Sequence, residues 1–236
     1  MSDPGADLLD GFRTVTALLG ASRPDAATRP AGAADDGQRC PVTVLTGVLG
    51  SGKTTVLRRL LEADHGLAIT AVVNDLGAVN IDAALLADAT PRSGSGPPPR
   101  LELTNGCACC SAADDLRAAL REVRGATPPP DAIVIEASGA ADAVAVAATV
   151  EGDDALALDG VVAVIDVDAA AGQLGHPSLG PLLRRQLATA HLVLLAKIDL
   201  VSTEQLDHVH DLVAGLAPGR MLLPIADGRV DPGVLL

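Results

Sequence analysis

The chain has 236 residues, 48% of them apolar, with one Phe, no Trp, no Tyr and a formal net charge of −13. That length suits one α/β domain plus a tail, and the aliphatic composition suits a parallel sheet covered by Ala-rich helices. The acidic balance argues against general binding to nucleic-acid backbones, and no apolar run approaches the length of a membrane span.

The N-terminus carries Asp3, Asp7 and Asp10 and no basic segment, so it does not read as a secretory signal. Of the four cysteines, three crowd into Cys107-Ala-Cys109-Cys110. Spacing that close belongs to metal ligands or redox thiols in a reducing compartment. Residues 1–39 read as a tail and linker. Leu8, Leu9, Phe12, Val15, Leu18 and Leu19 can form one apolar face of a short helix, and residues 21–38 hold little to bury. The compact domain is expected over 40–236.

Residues 41–46 form a β-branched run that reads as a buried strand. Gly47-Val-Leu-Gly-Ser-Gly-Lys-Thr-Thr55 follows, and then apolar residues at helical spacing. Strand, glycine loop and helix together make a phosphate-binding site of this pattern. Gly47, Gly50 and Gly52 remove side chains, so that backbone N–H groups can turn inward on an anion. Lys53 offers a charge to the outer phosphates, the Thr54 hydroxyl a ligand to Mg²⁺, and the helix its positive end.

A second buried strand is predicted over 67–73. It ends in Asn74-Asp75, where polar residues at the carboxyl end of a parallel strand meet ligands, so Asp75 is a candidate for the Mg²⁺ or a second metal. Residues 92–100 read as a loop and 101–104 as a short strand. That strand runs into the cysteine cluster, and a helix follows, capped near Ser111 or Asp114, with Leu116, Ala119, Leu120 and Val123 as its buried stripe. Thiols at a helix N-terminus ionise more readily. Cys107, Cys109 and Cys110 therefore suit Zn²⁺ above all, with Co²⁺ or Ni²⁺ as alternatives, in an open shell that fits a metal in transit. A redox pair or buried thiols are the other readings. Cys40 reads as a lone thiol.

Residues 131–136 form an apolar strand ending in Glu136. Downstream of a phosphate loop, such an acid positions Mg²⁺-bound or attacking water, and the Gly139 N–H lies where a γ-phosphate can be sensed. Further strands are predicted at 160–166, 191–196 and 221–224, with a loop at 172–180 and helices at 181–190 and 201–216. Asp199 follows the strand at 191–196. Its carboxylate can accept from both N1–H and the exocyclic amine of guanine, with Lys197 lying along the base, a pairing that adenine lacks. His208 and His210 are two apart on a helix and read as solvated. The alternation predicts a three-layer α/β fold with a mostly parallel, doubly wound sheet.

Taken in order, Gly47-Val-Leu-Gly-Ser-Gly-Lys-Thr-Thr55, Asn74-Asp-Leu-Gly77, Gly106-Cys-Ala-Cys-Cys110, Ile135-Glu-Ala-Ser-Gly139 and Lys197-Ile-Asp-Leu200 resemble the CobW-like metallochaperone GTPases. These are related to the urease and hydrogenase nickel-insertion GTPases. The resemblance covers about 40–236 and implies a cytoplasmic P-loop GTPase. It would couple a transition metal at Cys107, Cys109 and Cys110 to a GTP/GDP cycle with Mg²⁺ and deliver that metal to a client metalloprotein. By motif matching, Gly50, Ser51, Gly52, Lys53, Thr54 and Thr55 would hold phosphate and Mg²⁺, and Lys197 and Asp199 the guanine. A nucleotide-dependent homodimer is implied by the same kinship. Three positions depart from the pattern: Ala196 stands where Asn is usual, Asp75 where Glu is common, and the chain reaches Leu236 without the family's usual C-terminal domain. The alternatives are a zinc-buffering protein with a vestigial nucleotide site, or a cobalt or nickel insertion factor for one metalloenzyme or for cobalamin synthesis. Arg58 and Arg59 face away from the phosphates and supply no arginine finger in cis, so slow intrinsic hydrolysis is expected.

Overall fold

The computed structural model describes residues 39–74, 100–103 and 112–236. The apolar tail segment, Asp75, the loop at 92–99, the three clustered cysteines and Ser111 lie outside the described residues.

Seven strands form one sheet: β1 (Cys40–Thr46), β2 (Ile69–Asn74), β3 (Arg100–Leu103), β4 (Ala132–Ala137), β5 (Leu156–Asp166), β6 (Leu192–Ala196) and β7 (Met221–Ile225). Their order is β3-β2-β4-β1-β5-β6-β7, and every neighbouring pair is parallel. The helices are α1 (Lys53–Glu62), α2 (Ala112–Arg124), α3 (Ala143–Glu151), α4 (Ala170–Gly175), α5 (Leu179–Thr189), α6 (Thr203–Leu216) and α7 (Pro232–Leu235), with a 3₁₀ turn at Ile198–Leu200. The chain leaves β1 for β2 and β3, returns at β4, and crosses β1 to reach β5. Connections therefore run opposite ways on the two sides of β1. Their divergence opens a crevice at the carboxyl ends of the strands, where open α/β sheets bind ligands.

Strand periodicity sorts the core. Val42, Val44, Ile133, Ile135 and Val161 meet the apolar stripes of α2 and α3, and Ile165, Val193 and Leu195 meet α5 and α6 through Leu183, Leu187, Leu206 and Val213. Leu45, Val134, Val162, Val164 and Leu194 point the other way, onto Val56, Leu57 and Leu60 of α1 and Leu235 of α7. Alternate residues of one strand thus serve opposite layers. This is the three-layer doubly wound architecture expected.

Several boundaries differ from the sequence reading. β5 begins at Leu156 rather than Gly160, because Asp159 is an extra residue between Leu158, which pairs with Val42, and Gly160, which pairs with Thr43, and the pairing continues beyond it. The stretch expected as a loop at 172–180 begins inside α4, which buries Ala170 and Leu174. The helix expected from 201 starts at Thr203, fixed by a reciprocal capping box between Ser202 and Gln205. α3 occupies a stretch to which the motif reading gave no element; Asp142 caps it by accepting from the Val144 N–H. β7 is an edge strand and carries Pro224. Among the described residues no helix is long and apolar enough to cross a membrane.

Leu183 is fully buried between sheet and helix. Leu183→Ala is expected to lower unfolding stability by roughly 2–5 kcal/mol, the range for such cavities. Urea unfolding should be followed by far-ultraviolet circular dichroism, since the chain has no Trp or Tyr to report it.

Candidate nucleotide site

β1 is the central strand, and its carboxyl end runs directly into the glycine loop. Gly47 turns there at φ 147, and a Cβ on it would stand 2.4 Å from the Val164 carbonyl oxygen of β5. No other residue fits so close to backbone. Gly50 and Gly52 take φ 78 and 105, the second at the N-cap of α1. Lys53 is buried, and its Nζ donates to the carbonyls of Gly47 (2.9 Å) and Val48 (3.3 Å), so the side chain arches back across its own loop. The Ser51 side chain is also fully buried, and its Oγ has no hydrogen-bond partner among the described residues. A buried cation, a buried hydroxyl and successive left-handed glycines at a helix start form an anion nest.

β4 lies beside β1, with Glu136 in register with Leu45. Glu136 is buried at the strand end, and the Thr54 hydroxyl donates to its Oε1 at 2.7 Å. A hydroxyl and a carboxylate oxygen in direct contact at the mouth of an anion nest suit a hard divalent cation such as Mg²⁺. The turn after β4 packs on the loop itself: a Cβ on Gly139 would stand 2.7 Å from the Leu49 amide nitrogen. Gln186 of α5, also buried, donates from Nε2 to the Gly139 carbonyl at 3.3 Å and ties the turn to the layer behind it.

The end of β6 supplies the third side. Lys197 adopts a left-handed backbone (φ 64). Its Nζ donates to the Gly50 carbonyl at 2.9 Å and to Asp166 Oδ2 at 2.6 Å. Asp166 closes β5, is nearly buried, and its Oδ1 accepts from the N–H groups of Asp168 (3.1 Å) and Ala169 (3.4 Å). Asp199 Oδ1 accepts from the Asp227 N–H at 3.3 Å. Asp227 is in turn paired with the Arg59 guanidinium, whose Nε also donates to the Asp227 carbonyl at 3.2 Å. The side-chain hydrogen bond from the guanidinium to the Asp227 carboxylate holds that carboxyl below the usual aspartate range and raises Arg59. A depressed carboxyl contributes stability at pH values above about 3.9 and loses it as pH falls through the folded-state value.

The fold therefore gathers Gly47, Gly50, Ser51, Gly52, Lys53, Thr54, Glu136, Gly139 and Lys197 around one crevice, with Asp199 at its β6 side. Asp75, Cys107, Cys109 and Cys110 lie outside the described residues, and among the described residues no group of three His, Cys, Asp or Glu is placed to hold a metal. His208 and His210 are exposed, as expected. The sequence reading passed over Asp166, Gln186 and Asp227. Asp166 had the same signal as Glu136, an acid closing an apolar strand.

The nucleotide-binding domain of the CobW/HypB/UreG family matches residues 41–224. The chain belongs to that family. It is 31% identical over 202 residues to the zinc chaperone YjiA of Escherichia coli (strain K12), covering 82% of this chain and 60% of that one. It is 32% identical over 225 residues to the zinc chaperone CobW of Sinorhizobium sp, covering 84% and 62%. With the zinc-regulated GTPase metalloprotein activator 1 of Dictyostelium discoideum it shares 32% over 219 residues, 79% of this chain and 46% of that one. The chain thus spans between about half and three-fifths of these relatives' lengths. Zn(II)-bound YjiA GTPase from E. coli superposes with a TM-score of 0.61 at 25% identity over 84% of this chain and 61% of that one. The nickel complex of HypB from Helicobacter pylori shares the fold, with a TM-score of 0.54 at 20% identity over 82% and 81%. Family members of this kind are P-loop GTPases.

Gly139→Ala is expected to cut nucleotide hydrolysis more than about tenfold, because the new methyl displaces either the Glu136 turn or the phosphate loop. Gly172→Ala meets open space in α4 and serves as the control. Equal rates in both variants would show that the two loops yield without cost.

Proposed function

We propose that this chain binds GTP with Mg²⁺, hydrolyses it slowly, and couples the cycle to capture and delivery of a divalent transition metal, zinc first. The observation that carries the nucleotide half is the 2.7 Å bond from Thr54 to Glu136 at the mouth of the nest around buried Lys53. The metal half rests on the zinc chaperones among the relatives and on the Cys-x-Cys-Cys sequence at Cys107, Cys109 and Cys110.

In this reading the backbone amides from Gly47 to Thr55 hold the phosphates. Lys53 turns from its loop carbonyls to the outer phosphate oxygens, exchanging neutral acceptors for charged ones. Thr54 and Glu136, with Asp75, would hold Mg²⁺, which would supply positive charge to offset that of the phosphates. Glu136 orients the attacking water. The water oxygen bonds to the γ-phosphorus as the bond to the β–γ bridging oxygen breaks, and GDP leaves with that electron pair. The Gly139 N–H sits where it can report the γ-phosphate, and its close approach to Leu49 links that signal to the loop. Lys197 and Asp199 recognise guanine. The domain spans 40–236, works in the cytoplasm, pairs with a second copy when nucleotide is bound, and passes metal to a client metalloprotein. It engages neither nucleic acid nor membrane.

With Mg²⁺ present but no partner and no transition metal, GTP turnover should be far below the 1–100 s⁻¹ typical of kinases, for want of an arginine finger. Phosphate release by the purified protein measures this, and tens of turnovers per second would contradict the switch reading. Zn²⁺ titration against a chromophoric chelator should give a much tighter site with a non-hydrolysable Mg·GTP analogue than with Mg·GDP or without nucleotide. Cys107→Ser/Cys109→Ser should abolish it. Equal affinity in all three states means that nucleotide and metal are uncoupled, and favours a metal buffer instead.

A further inference from the structure

The turn after β7 packs against α1. Arg229 donates its N–H to the Ala226 carbonyl at 2.9 Å, closing a four-residue turn. Its central residues, Asp227 (φ 50) and Gly228 (φ 68), are both left-handed. Asp-Gly is the pair that such a turn selects. Gly228 presses on the first turn of α1, since a Cβ there would lie 2.8 Å from Thr55 Cγ2 and 3.1 Å from the Thr55 carbonyl carbon. One helical turn later, Arg59 takes hold of the same peptide at two points, donating Nε to the Asp227 carbonyl and pairing its guanidinium with the Asp227 carboxylate. The N–H on the other side of that residue then reaches Asp199 Oδ1.

We propose that Arg59 is a positioning residue for the base site: it fixes the Asp227 turn against α1, and the turn fixes the Asp199 carboxylate for a purine with a ring N–H and an exocyclic amine. The inference rests on the guanine reading of Asp199. It identifies what holds that site together in a chain where Ala196 offers no polar side-chain atom at the end of β6. Lys197 is committed to Gly50 and Asp166 and leaves the β7 side of the base site to other groups. The clasp meets that need from the helix that begins at the phosphate loop, so base and phosphate ends of one ligand are referred to one rigid element. A planar, two-point fork does this where a point charge does not.

The test is calorimetric titration of the full chain with GDP, ADP and inosine diphosphate, which lacks the exocyclic amine. The wild-type protein should prefer GDP over both. Arg59→Ala should lower the GDP-over-ADP ratio about two- to fivefold, the size expected of an exposed pair, through weaker GDP binding with ADP affinity little changed. Asp227→Asn keeps the left-handed turn and the N–H but loses the charge, and should give the same loss. The double variant should lose no more than either single one. Arg59→Lys should recover only part, and added salt should erode the wild-type ratio toward that of Arg59→Ala. If GDP and ADP weaken equally in Arg59→Ala, the arginine merely braces α1 and the proposal fails. It also fails if the ratio does not move. A wild-type protein with no preference between GDP and ADP overturns the guanine reading itself, and the clasp with it.

Discussion

Steric exclusion at the end of β1 governs the molecule. The strand is flanked on both sides, by β4 and β5, and the chain must leave it through a gap bounded by the Val164 carbonyl and the Leu49–Gly139 contact. Only backbone passes there. With side chains removed, N–H groups become the lining of the crevice, and Lys53 is the one long side chain that the loop encloses, buried against its own carbonyls. The chemistry of the site thus joins close packing to backbone conformation: lack of room demands glycine at Gly47, the left-handed backbone favours it at Gly50 and Gly52, and together they produce a nest for anions.

Three strand ends converge on that loop, and each adds one kind of group. β4 brings a carboxylate to the Thr54 hydroxyl. β5 brings Asp166, which accepts from Lys197. β6 brings Lys197 and Asp199 from a left-handed corner. The helices behind them are not passive fillers, since Gln186 of α5 reaches through to the Gly139 carbonyl and Arg59 of α1 reaches across to the β7 turn. Each of the two side chains holds a backbone carbonyl in a turn that borders the crevice. Movement of either helix would therefore be transmitted directly to a loop that borders the crevice.

Much of this was legible before any coordinates. The β-branched runs named six of the strand sites closely because, in a parallel sheet buried on both faces, continuous apolar sequence has no other good use. The glycine pattern and the acid closing β4 named the mouth of the crevice because charge and missing side chains stand out against an aliphatic background. What escaped was relational. Gln186, Asp166, Asp227 and Arg59 are ordinary polar residues in sequence. They gain meaning from partners 28 to 168 positions away. α3 escaped for a different reason: its Ala-Val repetition carries almost no amphipathic contrast, and its start is marked only by the Asp142 cap. The extension of β5 back to Leu156 was hidden by Asp159-Gly160, which reads as a break; Asp159 is left out of the pairing with β1 and the ladder continues past it.

Pro224 bears on how such a sheet meets other molecules. It sits in β7, the outermost strand on that side, paired inward with Leu195 and carrying no N–H. A further strand added along that border would meet a ladder with one rung missing, in a run of only five residues. The β7 border is thereby a poor template for a further strand, and growth of the sheet on that side is disfavoured.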